Sequence, residues 1–248
     1  MRSTQLSVII PIYNTAKFLQ EAVASASRAN EIILVDDAST DATPALTNEL
    51  VQRAENIRLV RLEQNVGPGP ARNVGLNHAS GELIAFLDAD DRYAPDGLEL
   101  MCEQLLANPT ADLIMGRVQA LKSRHSSSAS ELFELTGGSV RIFQLGSCVI
   151  RKSMLERTGA FDPKYHHGED IDWFFRAQEA RARFELLEQV VLHHRRHDSN
   201  FSDKRGGDSD LAMVMAASLA RRRKLAKNHG VPIDELYYIQ PDAMRLEQ

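Results

Sequence analysis

The sequence predicts an α/β fold with a central, mostly parallel sheet flanked by helices. In the first half of the chain, short apolar runs typical of buried strands alternate with helical patterns. The runs SVII, IILV and LIAF are continuously apolar, as expected for strands that are covered on both faces. Strands that are separated by helices form right-handed βαβ units, so their sheet is mainly parallel.

The first half of the chain supplies four strands and three helices to this prediction. The strands are predicted at 6–12, 31–37, 57–63 and 82–91. The helices are predicted from caps at Asn14 and Thr15 to Ala26, at 44–54 with Pro44 in the first turn, and at 71–79 after the loop NVGPGP.

The second half is less regular. It contains helical patterns, strand patterns and loop compositions in the following order: a helix at 95–108, a strand at 111–121, a loop at 123–130, a strand running into a helix at 147–159, a helix from about Glu169, one or two strands at 183–195, a Gly- and Asp-rich loop at 200–210 and a C-terminal helix closed by Gly230. No internal repeat and no inter-domain linker is visible, so a single domain is expected.

Composition bounds the classes of function. The chain has 248 residues, 43% of them hydrophobic, and a formal net charge of −5, which argues against a nucleic-acid partner. Its two cysteines, Cys102 and Cys148, have no metal-like spacing and favour a reducing compartment. No apolar stretch has the length of a membrane span or a signal sequence, so a cytoplasmic protein without a transmembrane segment is predicted.

A cluster of acids at the end of the fourth strand indicates a binding site. The stretch AFLDADDR carries Asp88, Asp90 and Asp91. Two neighbouring carboxylates raise each other's pKa unless a cation offsets their charge. A divalent cation with oxygen ligands, Mg²⁺ or Mn²⁺, meets this need and is usually shared with substrate phosphates. The carboxyl ends of parallel strands are also where ligands bind in open sheets.

Five motifs resemble those of the family 2 glycosyltransferases over roughly residues 6–202. In chain order they are SVIIPIYN, EIILVDDASTD, NVGPGPARNVGL, GELIAFLDADD and HGEDIDWFFR. The resemblance implies a GT-A fold and an inverting transfer from a nucleotide sugar, with a UDP-sugar favoured. It implies a glycosyltransferase domain at 1–207, with a nucleotide-binding half at 1–91 and an acceptor half at 92–207, and a packed C-terminal helix and tail at 208–248.

The resemblance also implies roles for residues of the first half. It assigns the nucleotide site to Pro11, Tyr13, Asn14, Asp37, Arg72 and Asp88. Tyr13 is expected to stack on the base, and Asp37 to accept a hydrogen bond from the ring N–H. Arg72 is expected near the nucleotide, or is otherwise a surface arginine of its helix. Asp90 is expected to be the main metal ligand, with Asp88 on the metal or the ribose and Asp91 as a residue that contacts the ligands or caps a helix.

In EDIDWFFR, the resemblance implies that Asp170 is the general base, with Glu169 as its catalytic neighbour. Both acids also suit the first turn of a helix, where the helix dipole favours negative charge. Trp173 lines the sugar or acceptor pocket or belongs to the core; the sequence leaves both open. In LHHRRH, Arg195 and His197 are expected to meet the diphosphate or the metal, and Arg195 is also assigned to the acceptor or sugar pocket. His194 stands where the family more often has Tyr.

Several alternatives remain at this point. A nucleotidyltransferase also places carboxylates over a metal, but it does not account for EDIDWFFR. A catalytically silent nucleotide-sugar binding protein is the other rival. A dinucleotide site at GPGPARNVG is disfavoured because Pro68 and Pro70 remove two N–H donors. The run RRRK at 221–224 is predicted to be a solvated helix face, with contact to anionic lipid or to a lipid-linked acceptor at the inner face of a membrane as the alternative. The acceptor is a hydroxyl of a sugar, a lipid or another molecule, and a homodimer is left open.

Overall fold

The computed structural model describes residues 5–124, 132–197 and 207–229. Four of the predicted features lie wholly or partly outside those ranges: the loop at 123–130, the loop at 200–210, the helix end at Gly230, and the tail within 208–248. The described residues form an α/β fold around one mixed sheet, as the sequence predicted.

Nine strands of the described chain form this sheet. Their bounds are β1 Leu6–Ile12, β2 Glu31–Asp36, β3 Ile57–Arg61, β4 Leu83–Phe86, β5 Arg92–Tyr93, β6 Leu113–Arg124, β7 Leu132–Val140, β8 Cys148–Arg151 and β9 Phe184–Arg196. The order across the sheet is β3-β2-β1-β4-β8-β6-β9-β5, and β7 pairs with β6. The first four strands are parallel, β8 runs antiparallel to β4 and β6, and β9 is parallel to β6.

Seven helices cover the sheet within the same ranges. They are α1 Ala16–Ser25, α2 Thr43–Arg53, α3 Pro68–His78, α4 Gly97–Ala107, α5 Lys152–Thr158, α6 Glu169–Glu179 and α7 Gly207–His229, with a short 3₁₀ turn at Leu145–Ser147. Two apolar clusters, one on each face of the sheet, bury nearly all of β1, β2 and β4. The continuous apolar runs of these strands therefore reflect burial on both faces.

The parallel half of the sheet fixes the position of the acids. Register pairs Ile12 of β1 with Asp36 of β2, and Ile9 with Phe86 at the end of β4. The side chains that follow these strands therefore meet at one edge of the sheet. Helix α3 lies close over β1, because a Cβ added at Gly75 would stand 2.3 Å from Cγ2 of Ile9. Glycine at this position permits the close approach.

The structure corrects several predicted boundaries. Strand β4 ends at Phe86, so Asp88, Asp90 and Asp91 lie in the following turn and not in the strand. Helix α3 begins at Pro68 inside the predicted loop, because proline fits the first turn of a helix, where its N–H is not needed. The segment at 183–195 is one strand, and β5 and β7 were not predicted.

Helix α7 packs against α6, which carries the predicted base. Arg222 is almost completely buried, and its Nη2 donates to Gln178 over 3.1 Å. Arg221 is half-buried and pairs with Asp172 and Glu179 of α6. The prediction that the run at 221–224 forms a solvated face is therefore wrong for its first two residues. No helix in the part of the chain that the structure describes is long and apolar enough to cross a membrane.

Candidate active site

Asp36, at the end of β2, is a structural acid. Its side chain is fully buried, one oxygen accepts the Ser39 amide N–H over 2.9 Å, and the other pairs with Nε of Arg61 over 3.1 Å. These bonds close the turn after β2 and tie it to β3. Asp36 therefore has a structural role, whereas the predicted contact with the base falls to the neighbouring Asp37.

Asp37 anchors the loop that leads into α3. Its two carboxylate oxygens accept the backbone N–H groups of Val66 and Gly67, each over 2.8 Å. Burial raises the pKa of Asp37, and these two hydrogen bonds oppose the rise. Each carboxylate oxygen retains further acceptor capacity. The predicted hydrogen bond to a base therefore stays a prediction that this geometry permits.

Tyr13 is the exposed aromatic ring at this edge. It follows β1 directly, and the residue is 49% exposed. Asn14 beside it has a left-handed backbone with φ of 53°, and its Oδ1 accepts the amide N–H groups of Thr40 and Asp41. Pro11 pairs with β2 alone, because β4 pairs with β1 only as far as Ile9. Tyr13 is thus open for stacking, whereas Asn14 holds the loop after β2.

Arg72 is the cation that faces the acids. The residue is only 5% exposed; Nη2 donates to Asp88 over 2.7 Å, and Nη1 donates to Glu169. The alternative that Arg72 is a surface arginine is therefore wrong. Nearby carboxylates raise the pKa of Arg72 above its ordinary value, against the effect of burial. Arg72 joins the acidic turn of the first half to the EDIDWFFR helix of the second.

Asp170 follows Glu169 in the first turn of α6. Burial, and secondly the charge of Glu169, raise the pKa of Asp170 to about 7, while Arg72 and the amide N–H of Ile171 oppose the rise. A carboxyl group with such a pKa is poised to exchange a proton near neutral pH. The electrostatics of this position suit a general base, and the role of Asp170 as that base stays a prediction.

Asp91 is buried and structural. Its oxygens accept the backbone N–H of Arg195 over 2.8 Å, and they lie 3.1 Å from Nδ1 of His194 and from Nε2 of Gln144. Burial raises the pKa of Asp91 to about 6, and the hydrogen bond with His194 opposes this rise. Asp91 therefore joins the acidic turn to the end of β9.

Asp90 and His197 face each other beside Asp88. Nε2 of His197 lies 3.2 Å from Oδ2 of Asp90, and the Asp88 side chain is 40% exposed. Among the described residues, no group of three or more His, Cys, Asp and Glu side chains is arranged to hold a metal ion. Their oxygen and imidazole donors nonetheless fit Mg²⁺ or Mn²⁺ if substrate phosphates complete the coordination, which is the usual arrangement for Mg²⁺.

Two of the predicted pocket residues do not line a pocket here. Trp173 is completely buried; its Nε1 donates to Oγ1 of Thr158 over 2.9 Å, and its ring packs against Phe161 and Phe174. The sequence left both a pocket position and a core position open for Trp173. The structure shows the core position, so the assignment of Trp173 to the sugar or acceptor pocket is wrong.

The guanidinium of Arg195 is also buried, and the residue is 1% exposed. It donates to the carbonyl oxygen of Asp90 and to Glu21, each over 2.8 Å, so its contacts in this structure are protein groups. The expectation that it meets the diphosphate directly is corrected accordingly. Sequence reasoning missed Glu21, Phe18 and Gln144, because no motif relates them to the acidic turn.

Comparison with known proteins identifies a matching family and several relatives. Residues 7–191 match the family model "Glycosyl transferase family 2". The chain is 40% identical to the succinoglycan biosynthesis protein ExoO of Rhizobium meliloti over 103 residues, which are 40% of this chain and 29% of ExoO. It is 28% identical to the putative glycosyltransferase EpsH of Bacillus subtilis, over 91% of this chain and 72% of EpsH.

The fold also matches a solved glycosyltransferase. A crystal structure of residues 1–349 of S. aureus TarS in complex with UDP-GlcNAc superimposes with a TM-score of 0.71 and 21% identity, over 88% of this chain and 66% of that chain. This likeness confirms the predicted GT-A fold. The chain spans less than half the length of several curated relatives that it matches.

Proposed function

Because the chain belongs to glycosyl transferase family 2, we propose that it is an inverting glycosyltransferase that moves a sugar from a nucleoside diphosphate sugar to a hydroxyl acceptor. The observation that carries the proposal is the bridge made by Arg72. It joins Asp88, at the edge where a nucleotide is expected, to Glu169, which is next to the proposed base. Donor-side and acceptor-side acids thereby form one centre.

A UDP-sugar is the proposed donor. The exposed ring of Tyr13 offers a stacking face, and Asp37 lies at the end of the neighbouring strand with acceptor capacity for the N–H of a uracil ring. TarS, which shares this fold, was crystallised with UDP-GlcNAc and with UDP. These facts support a uridine nucleotide and leave the sugar to the shape of the pocket.

Mg²⁺ or Mn²⁺ is the proposed cofactor, held by Asp90 with Asp88 and His197. When bound, such an ion offsets the charge that develops on the leaving diphosphate. In the protein, Asp90 and His197 are held within 3.2 Å of each other, and Arg72 carries part of the counter-charge for Asp88. Arg72 therefore lowers the repulsion that the acidic turn presents to an anionic donor.

Asp170 is the proposed general base. In its ionised form it takes the proton of the acceptor hydroxyl as that oxygen attacks the anomeric carbon from the side opposite the nucleotide, which inverts the configuration. Its pKa of about 7 keeps a substantial fraction ionised at neutral pH while leaving it basic enough to accept the proton. Glu169 raises that pKa and Arg72 lowers it, so the pair tunes the base.

A polysaccharide or another glycoconjugate is the proposed product. The support is the relative ExoO, whose name places it in succinoglycan biosynthesis. Sugars and lipid-linked sugars both present a hydroxyl from which Asp170 can take a proton. A lipid-linked acceptor implies contact with a membrane surface. A homodimer is the other alternative that the sequence left open.

Release of the leaving group tests the proposed activity. We expect the wild-type chain, supplied with Mn²⁺ and a panel of UDP-sugars together with candidate hydroxyl acceptors, to release UDP in an acceptor-dependent manner, and Asp170→Asn to release almost none. Release of pyrophosphate from UTP and a sugar phosphate would identify a nucleotidyltransferase instead. Binding of UDP-sugar without any release across the panel would identify a silent binding protein.

A further inference from the structure

The buried guanidinium of Arg195 lies behind the proposed metal site. Its Nη1 donates to the backbone carbonyl of Asp90 over 2.8 Å, and its Nη2 donates to Oε2 of Glu21 on α1 over 2.8 Å. Its own backbone N–H donates to Asp91. Arg195 thus holds the acidic turn against α1 and β9 with three directed hydrogen bonds.

Phe18 of α1 connects this arginine to His197. The guanidinium carbon of Arg195 lies 4.7 Å from the centre of the Phe18 ring. The imidazole of His197 stacks on the same ring, with 4.7 Å between ring centres and 27° between planes. The ring is therefore in contact with both side chains, and His197 is oriented toward Asp90, whose Oδ2 lies 3.2 Å from its Nε2.

We propose that Arg195 is a positioning residue that fixes Asp90 and His197 relative to each other, so that the two can share one divalent cation brought in with a nucleoside diphosphate. The proposal rests on the metal and nucleotide site of the proposed function. Arg195 itself does not touch the substrate; it sets how tightly the protein binds the metal-loaded nucleotide compared with the nucleotide alone.

The geometry requires an arginine. A guanidinium presents donors in a planar fork, so one side chain reaches the Asp90 carbonyl and the Glu21 carboxylate together while its flat face packs on Phe18. A lysine presents a single ammonium group and keeps the charge without the fork. Partners that orient metal ligands commonly alter metal affinity by about 10–100-fold when they are changed.

Titration calorimetry with UDP, in the presence of Mn²⁺ and in the presence of EDTA, tests the proposal. The measured quantity is the ratio of the two dissociation constants, which is the gain in UDP affinity that Mn²⁺ provides. We expect Arg195→Met to reduce this gain by about 10-fold and Arg195→Lys to reduce it less, while the affinity for UDP in EDTA stays close to that of the wild type.

Two further variants separate positioning from folding. Glu21→Gln changes a largely exposed side chain that pairs with Arg195 and with Arg92, so the core is untouched, and we expect it to lower the Mn²⁺-dependent gain in the same direction. Arg92→Gln is the matched control, because Arg92 also contacts Glu21, over 3.3 Å, whereas the arginine that donates to the Asp90 carbonyl is Arg195. We expect Arg92→Gln to leave the gain unchanged.

The outcomes distinguish this proposal from the one on which it rests. If UDP binds the wild-type chain no better with Mn²⁺ than in EDTA, the metal site fails, and the role of Arg195 fails with it. If the wild type shows the gain and both Arg195→Lys and Glu21→Gln retain it in full, only the positioning role is overturned. An equal loss of affinity with and without Mn²⁺ also overturns it, because that result indicates a general structural role.

Discussion

Arg72 of α3 and Glu169 at the start of α6 form a buried ion pair although 97 positions separate them in the chain. The same guanidinium pairs with Asp88, 16 positions along the chain. Buried charges are tolerated when they are paired and hydrogen-bonded. The acids of the two halves of the chain are therefore held around one arginine, and the predictions below follow from that arrangement.

Asp170→Asn is expected to abolish most transfer while leaving nucleotide binding intact. The amide has nearly the shape of the carboxylate but cannot accept the proton, and loss of a general base commonly costs about 10²–10⁴-fold in rate. Initial rates of UDP release and the affinity for UDP measure the two effects separately. Asp162→Asn, outside the site, is the matched control. Transfer at the wild-type rate in Asp170→Asn removes this residue from its proposed role.

The rate of transfer is expected to rise with pH around neutrality. A base must be ionised to act, and the pKa of Asp170 is raised to about 7, so kcat/KM should fall as the pH drops below that value. The measurement is kcat/KM for the acceptor between pH 5 and 9 on the wild-type chain, with those limits chosen to span about two units on either side of the pKa. A profile that is flat from pH 5 to 7 contradicts the assignment.

Arg72→Met is expected to raise the pH at which kcat/KM begins to fall on acidification. Arg72 lowers the pKa of Asp170, so its removal raises this pKa further and leaves a smaller ionised fraction at pH 7. Removing one partner of a buried ion pair also destabilises by roughly 3–5 kcal/mol, here by leaving Glu169 unpaired. Arg72→Lys retains the charge and is the control, so its kcat/KM should fall at close to the wild-type pH. A fall at the wild-type pH in Arg72→Met as well shows that Arg72 does not tune the base.

Trp173→Phe is expected to lower stability without changing donor affinity. The indole is fully buried and donates its N–H to Oγ1 of Thr158, so the smaller ring leaves a gap and removes this hydrogen bond. A loss of about 1–3 kcal/mol in the free energy of unfolding is expected. Urea unfolding measures it, and UDP titration measures the affinity. Weakened UDP binding with unchanged stability would return Trp173 to the pocket.

The apolar periodicity of the first half predicted its parallel strands and the edge at which the acids meet. Continuous apolar runs report burial on both faces of β1, β2 and β4, and register then fixes where Asp37 and Asp88 lie. The short β5 and the edge strand β7 were missed because they have too few apolar residues in period to distinguish them from loops.

Contacts between distant parts of the chain were the part of the site that could not be predicted. Arg195 meets Glu21 across 174 positions, and a motif describes only residues that are close in sequence. The burial of Trp173 could not be predicted from the sequence either, because a tryptophan in an amphipathic helix suits either a core or a pocket. Motifs therefore located the acids, whereas the structure showed which cations face them.

A thermal-shift panel of nucleoside diphosphates, with and without Mn²⁺, tests the central claim most directly. Ligand binding to the folded state raises Tm by mass action. We predict that UDP raises the Tm of the wild-type chain more with Mn²⁺ than without it, and that Asp90→Asn loses the Mn²⁺-dependent part. No rise with any diphosphate at millimolar concentration would contradict the assignment of the acidic turn to a metal–nucleotide site.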